Sequence, residues 1–175
     1  MTLDDVNALS APAFLAAFGD IAEHSPWVAE RAGRARPYAG REAMVDAFQA
    51  VVAGAARAEQ EALIRAHPDL AGKAALAGTV AAASRREQAG AGLDTLTPEE
   101  FARFQDLNTR YVARFGFPFI LAVKGATKHR ILEAFEQRIG GAREEEFWTA
   151  LAQVMRIVRF RLEDKVEAPD GGMSR

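Results

Sequence analysis

Apolar residues recur along most of this chain at intervals of three and four, the spacing that lines one face of an α-helix. Phe14, Leu15, Phe18 and Ile21 form the first such stripe, with Ser10 placed to cap it. Ser25-Pro26 gives a second start signal, a cap followed by proline at the first helical position, for a short segment carrying Trp27 and Val28. A longer pattern over 41–66 sets Met44, Phe48, Val51, Val52 and Ala55 at helical spacing. Pro68 ends it, because the residue before a proline is pushed out of the helical region.

A short segment is expected over 70–76 and a helix over 81–91. Thr97-Pro98-Glu99-Glu100 combines a capping box with proline in the first turn. The helix it opens carries Phe101, Phe104, Tyr111, Val112 and Phe115 on one stripe and stops at Gly116. The run over 117–123 is the one strand-like stretch, and a lone strand makes no sheet. Helices over 127–139 and 142–166 follow, separated by the breaker Gly140-Gly141. The expected fold is a single compact all-α domain of several helices with no sheet, over 1–167, followed by a flexible tail over 168–175.

Composition narrows the class of function. With 175 residues, 49% of them hydrophobic, the chain can build one proper core. A net charge of −2 gives no reason to expect a nucleic-acid partner or an acidic membrane. The absence of cysteine excludes disulfides, thiolate metal ligands and a cysteine nucleophile. The N-terminus carries acids where a secretory signal is basic, and no stretch approaches the roughly 20 apolar residues of a membrane span. A soluble cytoplasmic protein is expected.

His67-Pro68-Asp69 stands at the end of the long helical pattern. An imidazole there can give and take protons near neutrality, and the proline stiffens the backbone beside it. The same residues equally suit a helix-terminating histidine, a proline stop and an aspartate cap. In Ser84-Arg85-Arg86-Glu87-Gln88, the spacing lets Ser84, Glu87 and Gln88 share one helix face. That face would suit a ureido or imidazolone ligand, but Ser-x-x-Glu is also the signature of a plain capping box. Asn108 lies within the apolar stripe, where it either clamps a loop or touches a ligand. The turn at Pro118 can present backbone N–H and C=O groups, or merely plug the core. Arg161 lies beside the stripe of the last helix, where it either snorkels outward or pairs with a carboxylate. His24 and His129 suit surface or capping roles. P-loop, dinucleotide, zincin and serine-hydrolase motifs are missing. A metal site from His67, Asp69 and Glu87 would fall short of the usual four ligands of a structural zinc.

Taken in order, these blocks resemble the 2-oxo-4-hydroxy-4-carboxy-5-ureidoimidazoline (OHCU) decarboxylase family of urate breakdown. The matching stretches are Glu23-His24-Ser25-Pro26-Trp27-Val28-Ala29, His67-Pro68-Asp69-Leu70-Ala71-Gly72-Lys73 and Ser84-Arg85-Arg86-Glu87-Gln88 with Ala89-Gly90-Ala91-Gly92-Leu93. Phe104, Leu107-Asn108 and Tyr111 then lead into Arg114-Phe115-Gly116-Phe117-Pro118-Phe119-Ile120. The resemblance implies an all-helical homodimer that uses neither metal nor organic cofactor and makes (S)-allantoin. It implies that His67 handles the proton and that Glu87 orients or polarises it. It further implies that Pro68, Ser84 and Gln88 line the substrate pocket, and that backbone groups of Phe119, Ile120, Leu121, Ala122 and Val123 contact the ring. Arg161 would meet a polar or anionic part of the ligand. The substrate's own imidazolone carbonyl would take up the electron pair left by decarboxylation, a task that cofactors often perform. Whether His67 acts first as acid or as base stays open.

Overall fold

A computed structural model describes residues 1–72 and 81–167. It is all-α, with no strand among the described residues. Much of the expected segment over 70–76, and the whole of the expected tail over 168–175, lie outside the described residues. The chain divides into two compact units, Met1–Leu63 with the stretch from Met155 onward, and Ile64–Val154.

The first unit opens with a helix that the apolar pattern does not announce, α1 (Leu3–Ala8), started by a capping box between Thr2 and Asp5. Helix α2 (Ala11–Phe18) begins at its expected cap, Ser10, but ends before Ile21. It is followed by α3 (Pro26–Ala32), a 3-10 turn (Gly33–Ala35) and α4 (Arg41–Ala53). Phe14 is the hub of the core: its ring centroid lies 4.8 Å from that of Phe18, 6.3 Å from Phe48 and 6.4 Å from Tyr38. Val158 and Leu162 add apolar surface that is almost wholly buried.

The single helix expected over 41–66 is in fact two, α4 and α5 (Arg57–Ala66). Side chains make the break. The Gln60 amide donates to the carbonyls of Val52 (3.0 Å) and Ala53 (3.1 Å), capping the end of α4. The Glu59 carboxylate accepts from the Ala56 N–H at 3.1 Å, capping the start of α5. Orphaned backbone groups on both sides of the bend are thereby satisfied.

The second unit contains α6 (Ala82–Gly90), α7 (Pro98–Phe115), α8 (Lys128–Arg138) and much of α9 (Arg143–Lys165). Helix α7 starts at the expected Thr97 capping box. It stops at Gly116, whose φ of 79° is the left-handed conformation that glycine adopts most readily. Tyr111 is the centre of an aromatic cluster, with ring centroids 4.5 Å from Phe115, 5.4 Å from Phe119 and 5.6 Å from Phe135. The strand-like run after Gly116 is neither helix nor strand: it threads this cluster as irregular chain, with Phe117, Phe119, Ile120, Ala122 and Val123 buried.

Candidate active site

His67 ends α5 as a buried residue, its backbone N–H still bonded to the Ile64 carbonyl at 3.2 Å. Beyond it the chain turns sharply, with Ala71 at a φ of 52°, a left-handed conformation costly for a residue with a Cβ. Three side-chain amides hold that turn. Gln88 accepts from the Ala71 N–H at 2.9 Å, and its own amide reaches the Asp69 carbonyl at 3.5 Å. Gln105 donates to the Ala71 carbonyl at 2.8 Å, and Asn108 donates to the Leu70 carbonyl at 2.9 Å. Each bond satisfies a backbone group that no helix serves. Together they fix the chain on which His67 and Pro68 sit.

Ser84 is the third residue of α6, not its cap, so the capping-box reading of Ser84-x-x-Glu87 does not apply. The helix turns Ser84 and Gln88 inward as buried residues, holds Glu87 at intermediate exposure and leaves Arg85 and Arg86 outside. The shared face expected from the spacing is therefore present. Through Gln88 it abuts the turn that follows His67.

The segment carrying Phe119, Ile120, Leu121, Ala122 and Val123 is anchored by residues that the sequence reading left unassigned. Arg138 donates to the Ile120 carbonyl at 2.8 Å and lies 4.4 Å from the Phe119 ring centroid. It also forms a buried ion pair with Glu146 at 3.0 Å. Glu146 in turn accepts from the Tyr111 hydroxyl. Burial, followed by the bond to Glu146, pushes that hydroxyl above its usual range and keeps it a donor. The Gln153 side-chain carbonyl accepts from the Ala122 N–H at 3.0 Å. The Ile120 carbonyl and the Ala122 amide are thus committed to the protein's own side chains. Leu121 is the least buried residue of the five.

Helix α7 links the two halves of this arrangement. Gln105 and Asn108 grip the turn after His67, and Tyr111, one turn further on, packs edge-on against Phe119. Arg65, two residues before His67, adds a bond to the Gly116 carbonyl at 3.1 Å.

Arg161 belongs to the first unit. It does not snorkel outward: it is buried, and its Nη1 donates to Glu23 at 3.1 Å and to the Ile21 carbonyl at 3.2 Å. Glu23 is equally buried, and nothing local in the sequence links it to a partner 138 residues away. His24 and His129 are exposed, as expected of surface histidines.

Asp69 lies two residues after His67, where the chain turns. Removal from solvent pushes its carboxyl above the usual carboxylate range. A raised acid pKa means that the charged form opposes folding above that pKa, and that the penalty vanishes as pH falls through it. Asp69→Asn is therefore expected to raise Tm slightly at pH 7, with the gain shrinking to nothing in acid. Thermal melts of both proteins across pH 3–8, run in parallel, check this.

The arrangement joins a buried imidazole, a carboxylate-bearing helix face and a backbone segment held by side chains. Residues 7–163 match the family model described as OHCU decarboxylase. A 2-oxo-4-hydroxy-4-carboxy-5-ureidoimidazoline decarboxylase of Haloferax volcanii is 42% identical over 165 residues, covering 94% of this chain and 96% of the relative. Its counterpart from Halalkalicoccus jeotgali is 40% identical, covering 98% of this chain and 95% of the relative. Among solved structures, a crystal structure of (S)-allantoin synthase superposes with a TM-score of 0.78 at 32% identity. It covers 95% of this chain, which spans only 54% of that longer one. On sequence, fold and extent of coverage, the chain belongs to the OHCU decarboxylase family.

Proposed function

We propose that this protein decarboxylates OHCU to (S)-allantoin in urate degradation, with His67 as the proton carrier. The family assignment supplies the reaction class, carboxy-lyase. The observation that supports the site assignment is the buried His67 beside a turn locked by three amides, one of them Gln88 of the Ser84–Glu87–Gln88 face.

The substrate's chemistry fits such a site. OHCU carries hydroxyl and carboxylate on one ring carbon, and the neighbouring ring carbon bears the ureido group and a C=N bond. When the carbon–carboxylate bond breaks, its electron pair forms the ring C=C bond. The C=N pair then moves onto nitrogen, in conjugation with the 2-oxo carbonyl. Carbon dioxide leaves, the hydroxyl becomes the ring carbonyl of allantoin, and one proton is added to the carbon that bears the ureido group. The hydroxyl proton and one proton drawn from solvent balance the new N–H and C–H bonds.

The protein's tasks are thus to hold the carboxylate out of the ring plane, to meet the developing charge with fixed donors and to protonate one face. His67 delivers that proton, and Glu87 orients or polarises it. Pro68, Ser84 and Gln88 line the pocket, backbone groups over 119–123 contact the ring, and Gln88 acts chiefly by holding the turn. Arg161, its charge balanced by Glu23, is assigned to a polar part of the ligand. The same reading has the chain acting as a cytoplasmic homodimer and as one domain over 1–167 with a tail beyond. It assigns no metal or organic cofactor.

The test generates OHCU in situ from urate and follows allantoin by circular dichroism. The expected result is a fast rise of one enantiomer. A time course no faster than spontaneous decay, with racemic product, overturns the reading.

A further inference from the structure

Asn108 does more than clamp a loop. It is 6% exposed, and its amide nitrogen is bound to the Leu70 carbonyl at 2.9 Å. A carbonyl only accepts, so this bond fixes which end of the amide is which: nitrogen toward Leu70, oxygen away. Among the described residues, nothing donates to that buried oxygen. A buried acceptor left so costs about 1–3 kcal/mol, a cost relieved when a donor arrives with a ligand.

The position of this oxygen is informative. Its own amide is bonded to the turn after His67, and one helical turn away Tyr111 meets the ring of Phe119. Asn108 therefore stands on the helix that touches both the turn after His67 and the segment over 119–123, which the family resemblance assigns to the substrate ring. A cyclic ureide is rich in N–H donors, the one kind of partner this oxygen can take.

We propose that Asn108 is a substrate-binding residue whose Oδ1 accepts a hydrogen bond from a ring or ureido N–H of the cyclic ureide. The proposal rests on the OHCU decarboxylase reading and adds a specificity contact to its site. Analogues that lack an N–H at this point leave the oxygen dry and unpaired, so the contact selects for ureides over isosteric esters or N-alkyl rings.

The experiment pairs a crystal structure of the wild-type protein with allantoin bound against calorimetric titration of allantoin into wild type and Asn108→Ala. The expected results are an allantoin nitrogen at hydrogen-bonding distance from Asn108 Oδ1, and affinity weakened roughly tenfold by the substitution. Allantoin bound with no nitrogen near that oxygen overturns the proposal and leaves the decarboxylase reading intact. So does undiminished affinity in a folded Asn108→Ala protein. Should Asn108→Ala not fold, Asn108→Ser takes its place, and the wild-type complex still decides. Wild type that neither binds nor forms allantoin overturns both.

Discussion

Replacing His67 by Asn is expected to lower kcat by about 10²–10⁴-fold, the usual contribution of a positioned acid or base. Asn fills nearly the same space but cannot carry a proton near neutrality. The turn beyond it is held by Gln88, Gln105 and Asn108 through backbone atoms of residues 69–71, so the variant should keep its fold. Chiral allantoin formation gives the rate, and a thermal melt gives the stability. The pair of measurements separates a lost proton carrier from a collapsed site. Activity within a factor of a few of wild type would remove His67 from the mechanism.

The largest expected effect on stability lies elsewhere. Arg138→Met leaves Glu146 buried with its charge uncompensated, a change that costs about 3–5 kcal/mol. For a protein of this size that is a fall in Tm of roughly 6–20 °C. Adding Glu146→Leu removes the stranded charge and should recover part of the loss. Recovery stays incomplete because the Ile120 carbonyl and the Tyr111 hydroxyl still lack the partners they now have. The double variant is the more informative for function. It is expected to show a raised KM with a smaller change in kcat, since the segment it loosens binds ligand in the proposed site but transfers no proton. Differential scanning calorimetry and steady-state kinetics on both variants check the two halves of this expectation. A single variant as stable as wild type would show that the pair contributes nothing.

Much of this was legible in the sequence, and the exceptions have physical causes. Stripes with strong terminal signals, such as that from Thr97 to Gly116, have both boundaries where the pattern puts them, because caps and apolar spacing agree there. The pattern over 41–66 misleads because the apolar phase continues across the bend, while the break is made by the side chains of Glu59 and Gln60. Helix α1 goes unnoticed because it is short and buries only Val6. His67 and the Ser84–Glu87–Gln88 face are visible in the local spacing as alternatives to plain caps, and the family resemblance supplies their proposed roles. Their supports are not visible in local spacing. Arg138 and Glu146 stand on either side of a Gly-Gly break, and Glu146 closes a run of acids that reads as a solvated helix start. The one available clue is phase: Glu146 lies four residues before Ala150 and eight before Val154, on the buried side of α9. Arg161 stays undecided in the sequence for a different reason, since the carboxylate it pairs with, Glu23, is remote in sequence.

Helix α7 also acts as a spacer. Asn108 and Tyr111 are three residues apart on it, so their backbones are separated by about 4.5 Å along the axis, and a helix resists stretching. One residue grips the turn after His67, and the other packs on Phe119. The spacing of these two contacts is therefore set by helical pitch and not by loops that could adjust. Under the proposed function, a bulkier substrate would have to be met by distorting that rigid rod, through an insertion or a kink in α7.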